Sequence, residues 1–298
     1  MATNIHMGYM GHCKIGGTQY LITGSSLNPV QTVNAPDLVQ GFEMRKGWNY
    51  AKVEIGGNVT GPLHEYATSL WGETIDRSAD HDHLLNPVVV DIAYYKGEGL
   101  RFENAWINSL EIAATAGEVV NFTADFLGSK FDESAAHTTA VDELTEWSVA
   151  PCSKLVTWDR VQFTAAGVTM DNIQSFTLTV NNNLERIYSI KDGVTVDLYP
   201  VDVVAGIREV TGSVSLYAEG PVYMPSANFP IAKFGAQDFD SYQATDRTNV
   251  TFRVGGANGG GDVIPATTIA VVFHRPEASA VTGPTIYTLN YTAVCDLT

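Results

Sequence analysis

Basic residues are scarce in this chain: 17 Lys and Arg stand against 33 Asp and Glu, a formal net charge of −16 over 298 residues. Proteins that wrap tightly on duplex DNA take most of their affinity from cations laid on phosphates, so that class is excluded. Cysteine is scarce as well, with Cys13, Cys152 and Cys295 far apart and odd in number. They form neither a disulfide framework nor a paired metal knuckle, which points to folding in a reducing cytoplasm. No apolar run is long enough to cross a bilayer, and residues 1–17 lack a basic start and an apolar segment. Neither a membrane anchor nor an export signal is expected. The Asn-x-Thr triplets at Asn58, Asn121, Asn249 and Asn290 therefore read as strand residues, not glycan acceptors.

Signatures of catalysis are missing too. There is no Gly-x-Ser-x-Gly elbow, and the Gly-rich run at 255–261 lacks the Gly-Lys-Ser/Thr ending of a phosphate loop, so it reads as a turn between strands. No two carboxylates are given a shared pocket of the kind glycoside hydrolysis needs. Asp80-His81-Asp82-His83 is the cluster with metal-ligand chemistry. Neighbouring side chains on an extended segment point opposite ways, however, so it reads as a solvated acidic loop. His6, His12 and Cys13 form a weaker set. The expectation is a protein with no enzymatic activity, no metal and no cofactor.

What is present is strand material. With 45% hydrophobic and 17% charged residues the chain folds, and frequent Thr, Val, Gly and Tyr without long helical periodicity predict an all-β class with minor helices. The clearest stretch is 173–220. Phe176, Leu178 and Val180 alternate with Ser175, Thr177, Thr179 and Asn181, and Val210, Val214 and Leu216 alternate with Thr211, Ser213 and Ser215. Each is a strand with one wet face. The connection between them, 183–205, is far longer than a hairpin loop, which makes it a candidate working element.

The words SFTLTVNNNLE and GIREVTGSVSLY on either side of that connection resemble the tail tube proteins of long-tailed bacteriophages. The resemblance implies that these strands line a tube and that the loop reaches a neighbouring ring. It extends over most of the chain, strongest from 159 to 220 and fainter in the first half.

The order of elements in the first half returns in the second. Residues 14–33 parallel 160–180, and each is followed by a long polar connection. Val59-Thr60-Gly61 matches Val210-Thr211-Gly212 in the returning strands. VVVDIAYY at 88–95 matches NVTFRV at 249–254, and closing hairpins carry Asn121-Phe122-Thr123-Ala124 and Asn290-Tyr291-Thr292-Ala293. A helix is expected after each returning strand. In the first half Pro62 takes an N1-like place before a stripe of Leu63, Ala67, Leu70 and Trp71; in the second, a weak candidate near Phe229 and Phe234 is interrupted by Pro230. The expected architecture is two tandem β-sandwich or tube-type modules, each with a small flanking helix: 1–130, a linker at 131–153, and 154–298.

On the resemblance, the protein is expected to polymerise into the tail tube that conducts phage DNA during ejection, assembled in the bacterial cytoplasm and resident in the virion tail. Its partners would be itself, a tape-measure protein, a tail terminator and, in contractile tails, a sheath, with DNA passing through the lumen and no membrane involved. Two modules per chain favour stacked trimeric rings with pseudo-sixfold symmetry; plain hexamers are the alternative. The polar faces implied to line the lumen are Thr177, Thr179, Asn181, Ser213 and Ser215, with Lys52 and Glu54 in the first half. The connections 34–50 and 183–205 are candidates for contacts between rings, through Trp48, Tyr50, Ile187, Tyr188, Tyr199 and Val201, or else fold back on their own module. A carbohydrate- or receptor-binding β-sandwich of a virion is the competing reading.

Overall fold

A computed structural model of the chain describes residues 12–34, 49–75, 85–95, 98–132, 154–165, 167–170, 173–189, 198–218, 248–256, 261–274, 277–279 and 285–293. In the first half the strands are β1 (His12–Ile15), β2 (Thr18–Leu21), β3 (Gly24–Ser25), β4 (Asn28–Asn34) and β5 (Asn49–Pro62). After helix α1 (Thr68–Ile75) come β6 (Val88–Tyr95), β7 (Glu98–Thr115) and β8 (Asn121–Asp132). The second half holds β9 (Val161–Ala165), β10 (Val168–Thr169), β11 (Ile173–Asn181), β12 (Glu185–Ile187), β13 (Asp202–Val204), β14 (Glu209–Ala218), β15 (Thr248–Val254), β16 (Ile264–Phe273), β17 (Glu277–Ser279) and β18 (Thr285–Ala293). The described residues are nearly all strand, and all four Asn-x-Thr asparagines lie in strands, as the sequence predicts.

Neighbours pair in the order β2-β1-β6-β7-β8-β5-β4 in the first half and β10-β9-β15-β16-β18-β14-β11 in the second. The two runs meet where β11 pairs antiparallel with β7, Ser175 opposite Thr115 and Asn181 opposite Ser109. Strand β7 is long enough to hold both β6 (at residues 98–105) and β11 (at 109–115) on one edge and β8 on the other. Hydrogen bonding thus runs without interruption from one half into the other.

Apolar alternation decides how this sheet doubles over. Phe176, Leu178 and Val180 of β11 and Val210 and Val214 of β14 are buried, and so are Leu110, Ile112, Phe122 and Ala124 of β7 and β8. Facing strands cover them. The Phe163 ring of β9 lies 5.9 Å from Phe176 and 5.8 Å from Tyr291, and Tyr20 of β2 lies 5.4 Å from Phe122. Each half is therefore a sandwich whose inner faces share one apolar core.

Helix α1 fills the space between the halves. Leu63, Ala67, Leu70 and Trp71 are all buried, and the Trp71 ring meets Phe252 of β15 edge-on at 5.4 Å. The helix starts later than the sequence suggests, however. Pro62 closes β5 opposite Asn121, and the Leu63 amide donates to the Val120 carbonyl at 2.7 Å. Successive strand amides point to opposite edges, so the Leu63 bond to Val120 puts the Pro62 nitrogen on the side away from β8, where no bond to β8 is lost, and helix α1 starts only at Thr68. Phe131 and Asp132, expected in the linker, belong to β8. The remaining linker residues 133–153, the second helix candidate near Phe229 and Asp80 to His83 lie outside the described residues.

Candidate functional site

Strands β5, β8, β7, β11, β14 and β18 lie side by side, and their outward side chains form rows. Thr60, Thr123, Glu111, Thr179, Thr211 and Thr292 stand opposite one another across six strands. The next row runs Asn58, Asp125, Ser109, Asn181, Glu209. On the other side come Asn121, Ala113, Thr177, Ser213, Asn290, then Thr115, Ser175, Ser215, Thr288. These rows carry carboxylates at Glu111, Asp125 and Glu209 and no Lys or Arg.

Hydroxyls in the rows bond sideways to each other. Thr177 Oγ1 and Ser213 Oγ are 2.8 Å apart, Ser215 Oγ and Thr288 Oγ1 are 2.9 Å apart, and the Ser213 amide donates to Thr177 Oγ1 at 3.2 Å. Such cross-strand pairs stiffen the sheet and leave fewer free donors on its surface.

All five expected residues of the second half, Thr177, Thr179, Asn181, Ser213 and Ser215, fall on this face. Lys52 and Glu54 point outward from β5 but lie beyond the stretch where β8 pairs with it. They join each other instead, Lys52 Nζ to Glu54 Oε1 at 2.6 Å, and that contact holds the Glu54 carboxyl below its usual range. The first-half contributors to the rows are Asn58 and Thr60 of β5, Ser109, Glu111, Ala113 and Thr115 of β7, and Asn121, Thr123 and Asp125 of β8, none of which sequence reasoning placed on the face. For β8 the signal was available, since Asn121, Thr123 and Asp125 alternate with Phe122, Ala124 and Phe126.

The long connection after β11 is partly folded. Glu185–Ile187 pairs with Asp202–Val204, Arg186 Nη2 donates to the Ile55 carbonyl, and the Val53 amide donates to the Leu198 carbonyl at 2.8 Å. Tyr199 packs against the main core, and Val203 against Leu85 and Trp106. Ile187 and Val201 stay exposed, while the Tyr188 ring sits under Lys52 Nζ at 5.4 Å. So one part of the connection folds back on the first half while another leaves apolar groups in solvent. Of the other connection, 35–48 with Trp48 lies outside the described residues, and Tyr50 is described only as a backbone position in β5.

Its root is built from three asparagines. Asn181 Oδ1 accepts from the Asn183 amide at 3.0 Å, and Asn183 Nδ2 donates to the Ile207 carbonyl at 2.7 Å. Buried Asn182 donates from Nδ2 to the carbonyls of Thr74 and Ile107, each at 3.0 Å, and accepts from Arg208 Nε at 2.8 Å. Arg208 Nη2 reaches the Ile75 carbonyl at 2.9 Å. The last carbonyls of α1 thus receive donors from the other half of the chain, one of them cationic, as the negative end of a helix favours.

A family model for phage tail tube proteins matches residues 11–293. The chain belongs to that family. As a tail tube protein it is a structural component of the virion tail, in a family whose members assemble with copies of themselves into a tube. No curated protein matches this tail tube chain. Among its described residues no helix is long and apolar enough to cross a membrane, and no group of three His, Cys, Asp or Glu is placed to hold a metal ion.

Proposed function

We propose that copies of this tail tube protein stack as rings into a channel for phage DNA, with the hydroxyl and carboxylate rows of β5, β8, β7, β11, β14 and β18 facing the lumen. The observation that carries this reading is the continuity of those rows across both halves of the chain. Carboxylates there repel phosphates, and no cation on the rows offers a place for one to stick. Laterally bonded hydroxyls compete poorly for phosphate oxygens. Assembly takes place in the host cytoplasm, with a tape-measure protein and a terminator setting length.

The repeated pairing order supports a tandem duplication, with modules at 1–130 and 154–298 joined by 131–153. Three such chains supply six module positions, hence a trimeric ring with pseudo-sixfold symmetry. Among the described residues β4 pairs only with β5 and β17 only with β18, which fits closure against neighbouring copies, since a sheet edge left open invites uncontrolled pairing.

The test is electron microscopy of purified protein together with a variant carrying Glu111→Lys, Asp125→Lys and Glu209→Lys. Native protein should form open-ended tubes. The variant should form tubes that retain duplex DNA in a salt-sensitive way, and phage built with it should release DNA more slowly. Variant tubes indifferent to DNA would overturn the lumen assignment, and discrete native particles with affinity for glycans would overturn the tube itself.

A further inference from the structure

Among the described residues, Ile207 is the most exposed large apolar side chain, at 86%. Its position is not slack. Asn183 Nδ2 holds its carbonyl, and the adjacent Gly206 amide donates to the carbonyls of Asn182 at 3.1 Å and Asn183 at 3.0 Å. Asn183 is the one non-glycine with positive φ among the described residues, at 49°, a conformation that costs energy and persists only where the surroundings impose it. A Cβ on Gly206 would lie 2.7 Å from the Asn183 oxygen, so the two segments are pressed together. Polar groups and a strained backbone therefore cooperate to hold an isoleucine out in water. Farther along the same connection, Ile187 of β12 and Val201, whose amide donates to the Ile187 carbonyl at 2.8 Å, are 45% and 54% exposed.

Ile207 lies at one end of the strands. Asn181 and Glu209 mark that end, while Ile173, Ala218 and Thr115 mark the other. Trp158 lies at the opposite end, 44% exposed, its amide bonded to the Glu118 carbonyl in the turn between β7 and β8. Beside it opens a cavity of about 300 Å³ whose lining carries Val161, Met170, Ile173 and Phe176 and also includes the polar Thr115, Asp159, Gln162, Thr169 and Gln174.

We propose that Ile207 is the contact by which one copy of this chain grips the next along the tube axis, seating at the Trp158 cavity of that copy. The proposal rests on the tube reading. With the strands running along the tube, head-to-tail stacking sets this end against the opposite end of an identical fold. There the exposed apolar residue beside a cavity is Trp158. The hydrogen-bonded root holds the Ile207 backbone in place before contact, which favours tight stacking.

Four variants test it: Ile207→Asp, and Ile207→Cys and Trp158→Cys singly and together. Because Ile207 is exposed, I207D should melt as the native chain does, yet its yield of sedimentable tube should fall at least about tenfold. Under mild oxidation the double cysteine variant should give disulfide-linked ladders that neither single variant gives. Native tubes with unimpaired I207D tubes would overturn this contact and leave the tube reading standing. Loss of tubes in I207D without ladders from the double variant would overturn the Trp158 seat, and discrete native particles would overturn both proposals.

Discussion

At the scale of single residues, the side chains that matter are those whose surroundings leave them one option. Gly212 is such a position: a Cβ there would lie 2.3 Å from Tyr291 Oη and 2.4 Å from the Thr177 carbonyl, to which Tyr291 Oη donates at 3.2 Å. His64 is another. It is buried against Tyr20, with ring centroids 5.2 Å apart, and its Nδ1 accepts from the Tyr66 amide at 3.3 Å. Burial holds the imidazole below the ordinary histidine range. As pH falls, the unfolded chain therefore takes up this proton before the folded one does. The stability tied to neutral His64 is complete above about pH 6.5 and is lost progressively below it. The urea midpoint of dilute, unassembled protein should fall between about pH 7.5 and about pH 5.5, and by less in His64→Gln. Equal falls in the two proteins would remove His64 from the acid response.

Elements divide by how local their causes are. The alternation in β11 and β14 was legible because both strands carry one wet and one buried face, and the expected faces are the observed ones. Helix α1 was half legible: its apolar stripe is buried as predicted, but Pro62 belongs to β5, since the bond from Leu63 to Val120 extends the pairing past it. Nothing local marks that boundary. The same holds for Asn182, which looks like one of three loop asparagines and instead ties β11, β7 and α1 together. Asn182→Ala strips two buried carbonyls of their donor and Arg208 Nε of its acceptor. The expected cost is about 2–3 kcal/mol in urea unfolding, with faster hydrogen exchange in Thr68–Ile75. A change below about 0.5 kcal/mol would mean that water replaces the side chain. The polar rows were legible strand by strand, but not which strands would lie side by side, because register across β5, β8 and β7 depends on residues far apart in the chain.

For the whole molecule, the words that matched between the halves sit in matching places. Gly61 faces Phe122 and Thr60 faces Thr123; Gly212 faces Tyr291 and Thr211 faces Thr292. That correspondence underlies the proposed three-chain ring. Views down the axis of assembled tubes should average to threefold symmetry with six similar lobes, whereas six identical chains per ring would refute it. The seam between β7 and β11 is the remaining consideration. Its two edges are tethered within one polypeptide, so they meet at an effective concentration set by the tether and not by how much protein the host has made. A three-chain ring then has three encounters to complete where six separate single-module subunits would need six. If the ring holds three chains, its initiation rate would depend on a lower power of subunit supply, and tubes would begin to grow earlier in an infection, while the pool of chains is still small.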